Sequence, residues 1–114
     1  MAERIDGASF EARVLGADAP VLVDFYSDTC VPCKRLVPQL ARLEAAEGGA
    51  LEVLKVNTQY DYELAERFGV MSTPTLVLFG GGRELGRTSG FHRAEELQEF
   101  VAGLVGAPQE GGAR

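Results

Sequence analysis

The sequence of 114 residues has few of the side chains that bind metal ions or build disulfide frameworks. It contains two cysteines, Cys30 and Cys33, and one histidine, His92. A structural zinc site takes four ligands, so these residues do not complete one. A bond between the two cysteines would close too short a loop to tie distant segments together. We therefore expect no bound metal or cofactor, and a cysteine pair that serves redox chemistry or transient metal binding.

Positive charge and long apolar runs are also scarce. Lysine and arginine number 11 against 17 acidic residues, which gives a net charge of -6. Nucleic acids and anionic membranes bind clustered positive charge, so neither is an expected partner. No apolar run approaches the roughly 20 residues of a membrane-spanning helix. Residues 1–6 lack the basic start of a secretory signal, and we expect a cytoplasmic monomer.

The patterning that is present predicts one α/β domain. Hydrophobic residues make up 46% of the chain and charged residues 25%, which is typical of a globular protein. We expect a domain over 1–105 and a flexible, glycine-rich tail over 106–114. Periodicity predicts helices over 6–17, 30–47, 60–68 and 94–104, and strands over 21–26, 51–57, 75–79 and 83–88. This order predicts a mixed central sheet that ends in an antiparallel hairpin, with helices on both faces.

The two cysteines fall where the first long strand ends and the longest helix begins. Residues three apart are neighbours on a helix surface, so the two sulfurs can form a disulfide. The first turn of a helix has unpaired N–H groups and the positive end of the helix dipole. Cys30 can use them to stabilise its thiolate and act as the nucleophile, and Pro32 occupies a position where a missing N–H costs little. Cys33 lies deeper along the helix and is expected to be the resolving thiol.

Other interpretations of the pair remain open at this point. Covalent haem attachment requires histidine after the second cysteine, and Lys34 stands there. Two inert buried thiols, a carrier of a soft ion such as Cu(I), and an interaction module without turnover all fit a two-cysteine chain. A disulfide oxidant is disfavoured because no cationic histidine separates the cysteines.

Two segments resemble the thioredoxin family. The active-site segment of that family is similar to residues 23–34, Val-Asp-Phe-Tyr-Ser-Asp-Thr-Cys-Val-Pro-Cys-Lys. Its proline loop is similar to residues 69–76, Gly-Val-Met-Ser-Thr-Pro-Thr-Leu, and the resemblance covers about 6–105. It implies a thioredoxin fold and a protein-disulfide reductase whose only redox centre is the Cys30–Cys33 disulfide. The implied partners are disulfide-containing target proteins and a separate thioredoxin reductase that supplies electrons.

The resemblance also suggests roles for three further residues. Asp24 is a charged residue inside an apolar strand, where burial would raise its pKa. In the family, a buried acid at this point exchanges a proton with the resolving thiol, here Cys33. Lys55, on the neighbouring strand, would lie close to Asp24 and moderate the cost of burying it. Pro74 would follow a cis peptide bond and shape the substrate site.

A flat and mostly uncharged surface around the disulfide is the expected docking site for partners. The residues that the resemblance assigns to this surface are Thr29, Val31, Pro32, Ser72, Thr73, Gly90 and Phe91. Several positions depart from the family pattern. Thr29 and Tyr26 stand where tryptophan is usual, Val31 stands where glycine is usual, and Gln59 replaces a common acid.

Overall fold

The computed structural model describes residues 2–105, which fold around one five-stranded sheet. Met1 and the predicted tail at 106–114 lie outside the described residues. The strands are β1 Glu3–Arg4, β2 Val21–Tyr26, β3 Glu52–Asn57, β4 Thr75–Gly80 and β5 Arg83–Ser89. The helices are α1 Gly7–Phe10, continued by a π-helical segment Glu11–Leu15, then α2 Val31–Glu47, α3 Tyr62–Arg67 and α4 Ala94–Val105.

The sheet is mixed, and β2 is its central strand. The strand order is β1-β3-β2-β4-β5. β3 is parallel to β1 and β2, whereas β4 is antiparallel to β2 and β5. β4 and β5 form a hairpin through Gly81 and Gly82, whose φ angles of 62° and 82° favour glycine. The predicted mixed sheet and its C-terminal hairpin are confirmed.

Each face of the sheet packs against a separate set of helices, because side chains alternate along a strand. Val23 and Phe25 of β2 face the core that includes Phe10 of α1 and Leu64 of α3. Leu22 of the same strand belongs to the opposite core, with residues of α2 and α4. The helical members of that second core are Leu36, Leu40, Leu43, Leu97 and Val101. Helices therefore cover both faces, as the sequence predicts.

The first and third helices are shorter than predicted. Asp6 begins α1 by accepting a hydrogen bond from the Ser9 N–H at 3.0 Å. After Phe10 the turns widen, and the Gly16 N–H reaches the Glu11 carbonyl at 2.8 Å, so the segment predicted as one helix is partly π-helical. α3 begins late because residues 57–61 first form a turn, in which the Asp61 N–H donates to the Asn57 carbonyl at 2.8 Å.

β1 is only two residues long and was not predicted, because so short a strand has no periodicity to detect. Within residues 2–105, no helix combines the length and apolarity that crossing a bilayer requires.

Candidate active site

Cys30 and Cys33 form a disulfide at the N-terminus of α2. Their Cα atoms are 5.2 Å apart. Cys30 is the N-cap residue, with extended backbone angles, and the helix proper begins at Val31. Pro32 lies in the first turn, where its missing N–H has no helical partner to lose. The strand-to-helix junction thus holds both sulfurs in one turn of the chain.

The two sulfurs have different surroundings. Cys33 is buried, with 3% of its surface exposed, whereas Cys30 is only partly buried. The Cys33 N–H points at the Cys30 sulfur at 3.1 Å. An N–H of the first helical turn, together with the helix dipole, stabilises negative charge at that sulfur once the disulfide is reduced. The arrangement can therefore support an accessible thiolate at Cys30 with a protected thiol beneath it.

Asp24 lies on the central strand, on the face that α2 covers. It is 1% exposed, and its Oδ1 atom has no hydrogen-bond partner. Its strand neighbours are Lys55 on β3 and Leu76 on β4. Burial raises the pKa of Asp24 from 3.8 to about 7, although the positive charge of Lys55 acts in the opposite direction. This carboxyl group can therefore take up or release a proton near neutral pH.

A cavity of about 150 Å³ is lined by both Asp24 and Cys33. A cavity of this volume has room for water, and Asp24 supplies a polar wall with an unsatisfied oxygen. The residues that line the cavity are Asp24, Tyr26, Ser27, Asp28, Cys33, Lys34, Val37 and Lys55. The structure thus brings together Asp24, Cys33 and Lys55, which lie on three different elements, β2, α2 and β3.

Tyr26 and Lys55 form a contact beside Asp24. The Lys55 ammonium group lies 4.9 Å from the centre of the Tyr26 ring. Such a cation–π contact limits the positions that a flexible lysine side chain samples. Because Asp24 and Lys55 are paired in register on adjacent strands, the contact keeps the ammonium group on the same face as the carboxyl.

The proline loop lies against the segment that precedes Cys30. The Thr73–Pro74 peptide bond is cis, and Pro74 is buried. A side-chain hydrogen bond of 3.3 Å joins the hydroxyls of Ser27 and Thr73. The Pro74 carbonyl accepts a hydrogen bond from the Gly90 N–H at 2.9 Å. These contacts bring the ends of β2, β4 and β5 together around the disulfide.

The residues assigned to the docking surface differ in exposure. The exposed ones are Thr29, Val31, Pro32 and Ser72, and Val31 shows 63% of its surface. Thr73, Gly90 and Phe91 are half-buried. Phe91 packs against the core between α2 and α4, and the Arg35 guanidinium group lies 4.8 Å from its ring centre. Phe91 is therefore as much a packing residue as a surface residue.

The structure adds Asn57 and Gln59 to the residues that organise the site. Asn57 is 1% exposed and donates from Nδ2 to the Asp28 carboxylate at 3.0 Å. Its Oδ1 accepts from the Gln59 N–H at 2.9 Å, and the Gln59 side chain accepts from the Asp28 N–H at 2.8 Å. This closed ring fixes the segment ahead of Cys30. In the sequence, Asn57 is only an asparagine at the end of an apolar strand. That pattern does not show whether the side chain is buried or solvated.

Residues 2–105 contain no group of three or more histidine, cysteine or acidic side chains arranged to hold an ion. A mixed α/β fold with an accessible cysteine at a helix N-terminus, a second cysteine one turn on and a buried acid beneath defines the class of thiol–disulfide exchange proteins.

Comparison with known proteins supports this class. The family model described as thioredoxin matches residues 2–103. The chain is 35% identical to a thioredoxin of Rickettsia bellii over 101 residues, which cover 89% of this chain and 96% of that protein. It is 37% identical to a thioredoxin of Alicyclobacillus acidocaldarius over 98 residues, covering 86% and 92% of the two chains. A bifunctional thioredoxin reductase/thioredoxin of Mycobacterium leprae is 40% identical over 89% of this chain and 22% of its own length.

The chain belongs to the thioredoxin family, and its Cys-x-x-Cys pair is the redox-active disulfide of that family. It is a thiol–disulfide oxidoreductase that acts as a protein-disulfide reductase.

Proposed function

We propose that the chain reduces disulfides in cytoplasmic target proteins, with Cys30 as the nucleophile and Cys33 as the resolving thiol. The observation that carries the assignment of roles is the asymmetry of the pair. Cys30 is accessible and its sulfur faces the Cys33 N–H at 3.1 Å, whereas Cys33 is buried. Thiol–disulfide exchange requires the attacking sulfur to be both ionised and reachable.

The reaction proceeds in two exchanges. The Cys30 thiolate attacks one sulfur of the target disulfide, the target S–S bond breaks, and a mixed disulfide forms while the second target sulfur leaves as a thiolate. Cys33 then loses its proton and attacks the Cys30 sulfur. This step re-forms the Cys30–Cys33 bond and releases the target as a dithiol once its thiolates take up protons. Two electrons pass from the cysteine pair to the target.

Asp24 is the proposed acceptor of the Cys33 proton. A carboxyl group with a pKa of about 7 can accept a proton at neutral pH more readily than an exposed aspartate can. The cavity of about 150 Å³ that both residues line supports transfer between them, directly or through water. Lys55 is the proposed tuning residue, because its charge favours the ionised carboxylate and so limits how far burial raises the pKa of Asp24.

Targets are proposed to bind over the surface around the disulfide. An extended segment of the target would lie along the backbone of Thr73, beside Pro74, in the manner of strand addition. The side chains proposed to contact it are Thr29, Val31, Pro32, Ser72, Thr73 and Phe91, with Gly90 allowing close approach of the target backbone. Support comes from the exposure of Val31 and from the hydrogen bond of Thr73 to the segment ahead of Cys30.

The proposed source of electrons is a separate thioredoxin reductase. The Mycobacterium leprae relative joins a reductase and a thioredoxin in one chain, which supports pairing of the two activities. We further propose that residues 1–105 form a domain that acts as a monomer. Both apolar cores are completed by residues of one chain, which supports that proposal.

Trapping of the mixed disulfide tests the assignment of the two cysteines. With reduced Cys33→Ser, we expect a stable mixed disulfide between Cys30 and insulin. It should be visible on a non-reducing gel and be cleaved by dithiothreitol. With Cys30→Ser, we expect neither the complex nor insulin reduction, because the accessible nucleophile is gone. A complex formed by Cys30→Ser and absent from Cys33→Ser would reverse the roles.

The equilibrium with glutathione tests the direction of transfer. A Cys-Val-Pro-Cys active site that works as a reductase is expected to have a potential of about −270 mV, whereas an oxidant would have one of about −120 mV. The redox state is read by mass after alkylation, because the chain has no tryptophan to report it by fluorescence.

A further inference from the structure

Met71 has an unusual position for a methionine. Among the described residues it has the most exposed large hydrophobic side chain, with 94% of its surface in solvent. Methionine belongs to the residue types that are most often buried, so a nearly free thioether on a folded domain calls for a physical reason. The other internal sulfurs, those of Cys30 and Cys33, are joined in the disulfide.

The backbone on both sides of Met71 is fixed, so a loose loop does not explain the exposure. The Val70 N–H donates to the Ala65 carbonyl at 2.9 Å, and the Val70 side chain packs against the core. On the other side, the Thr75 hydroxyl donates to the Ser72 carbonyl at 2.7 Å. The chain therefore presents the Met71 side chain to solvent in a defined place.

That place is next to the proposed docking surface. Two peptide units, each about 3.8 Å between Cα atoms, separate Met71 from Thr73. Thr73 in turn contacts Ser27 in the segment ahead of Cys30. A typical protein partner covers about 800 Å² of surface, which is a disc of about 16 Å radius. A partner centred on the disulfide would cover Val31, between the cysteines, and extend over the proline loop to Met71, and both side chains are exposed and apolar.

We propose that Met71 is a peroxide-sensitive docking residue, whose conversion to the sulfoxide weakens binding of protein disulfides and leaves the cysteine chemistry intact. This inference rests on the proposed function. The Met71 sulfur attacks one oxygen of hydrogen peroxide, the O–O bond breaks, an S–O bond forms, and the other oxygen leaves as water. The sulfur loses two electrons and the peroxide gains them. A polar sulfoxide then replaces an apolar contact.

The state of the cysteines separates this modification from damage to the redox centre. Peroxide attacks cysteine through the thiolate, and the disulfide form has no thiolate. Met71 is exposed in the same form, so among the sulfurs of residues 2–105 it is the one that reacts. Dithiothreitol added afterwards reopens the disulfide, while the sulfoxide remains until a methionine sulfoxide reductase removes it.

The test uses the full chain in its disulfide form, treated with hydrogen peroxide until the peptide containing Met71 gains one oxygen by mass. Insulin reduction is then compared with reduction of a small aromatic disulfide, which needs no docking surface. We expect KM for insulin to rise about fivefold, as for loss of a partly buried apolar contact, with kcat and the small-disulfide rate unchanged. The melting temperature should not move, because the side chain packs against nothing.

Two variants control the test. Met71→Gln should raise KM for insulin without peroxide, and Met71→Leu should have the same KM before and after peroxide, although it still contains Met1. An unchanged KM after complete oxidation of Met71, or an equal rise in treated Met71→Leu, would overturn the proposal. If the untreated chain does not reduce insulin at all, the proposed function itself is wrong, and this inference fails with it.

Discussion

A single carboxyl group, that of Asp24, has the most unusual environment among the titratable side chains described here. It lies in a strand whose other residues are apolar, has an oxygen without a hydrogen-bond partner, and has a pKa of about 7. The largest cause is burial, and the opposing effect of Lys55 does not cancel it. Folding therefore favours the protonated form of this group, and the stability of the disulfide form should depend on pH.

The sign of that dependence follows from the raised pKa. Between pH 3.8 and about 7 the unfolded chain has released the Asp24 proton while the folded chain still holds it, so the free energy of unfolding falls as pH rises. We expect Asp24→Asn to be more stable than the parent at pH 8, by at most about 4 kcal/mol, and nearly equal to it at pH 4. Urea unfolding of the disulfide form at both pH values measures the difference.

A surface aspartate provides the control for this prediction. Asp18 is exposed, so Asp18→Asn should change the free energy of unfolding little at either pH. If Asp24→Asn showed the same difference from the parent at pH 4 and pH 8, the Asp24 carboxyl would have an ordinary pKa in the folded protein.

The sequence predicted some of these residue environments and missed others. Burial of Asp24 was expected from the resemblance to the thioredoxin family together with the apolar strand around it, and strand pairing in the structure places Lys55 beside it. Asn57 was not recognised, because a polar residue at a strand end is usually solvated. Its burial depends on Asp28 and Gln59, which come from two different loops. The exposure of Met71 is likewise set by tertiary contacts of its neighbours.

At the scale of elements, local signals located α2 and the hairpin well. The helix was predicted from residue 30, and the structure starts it at Val31 with Cys30 as the cap. Glycines predicted the hairpin turn, but the sequence pattern did not predict the pairing register of β4 and β5. Phe79 pairs with Glu84 whereas Leu78 pairs with Gly86, so Leu85 is an extra residue in β5. Such a bulge depends on packing between strands and helices, which no local pattern encodes.

Two glycines with opposite roles test the account of the elements. Gly81 has a φ of 62° in the hairpin turn, and Gly103 lies on an exposed face of α4 without a positive φ. A Cβ atom at either position meets nothing within 4 Å, so only backbone conformation distinguishes them. We expect Gly81→Ala to destabilise the fold by about 1–2 kcal/mol and Gly103→Ala to stabilise it by about 0.5–1 kcal/mol.

Urea unfolding of both glycine variants at one pH gives the two free-energy differences directly. Both positions are remote in sequence from the cysteines. Unchanged insulin reduction by the folded variants would therefore show that each variant reaches the native fold. If both substitutions changed the free energy of unfolding in the same direction, the turn would not require a residue that readily adopts the left-handed backbone conformation.

At the scale of the whole molecule, the topology assembles a site from residues far apart in sequence. The central strand carries Asp24 and leads into the cysteines, and β4 begins directly after Pro74. Alternation of helices and strands was enough to predict the mixed sheet and its covered faces. The two-residue strand β1 was missed, and it pairs with β3 through Glu3 and Arg4. The roles within the site stay predictions until the chemistry of each sulfur is measured.

The most direct test of the central claim is the pH dependence of alkylation of the reduced chain, with each cysteine followed separately by mass. The account predicts that Cys30 reacts first, with a midpoint below the ordinary thiol value of about 8.5, and that Cys33 stays protected. Equal reaction of the two cysteines, or a Cys30 midpoint at the ordinary value, would contradict it.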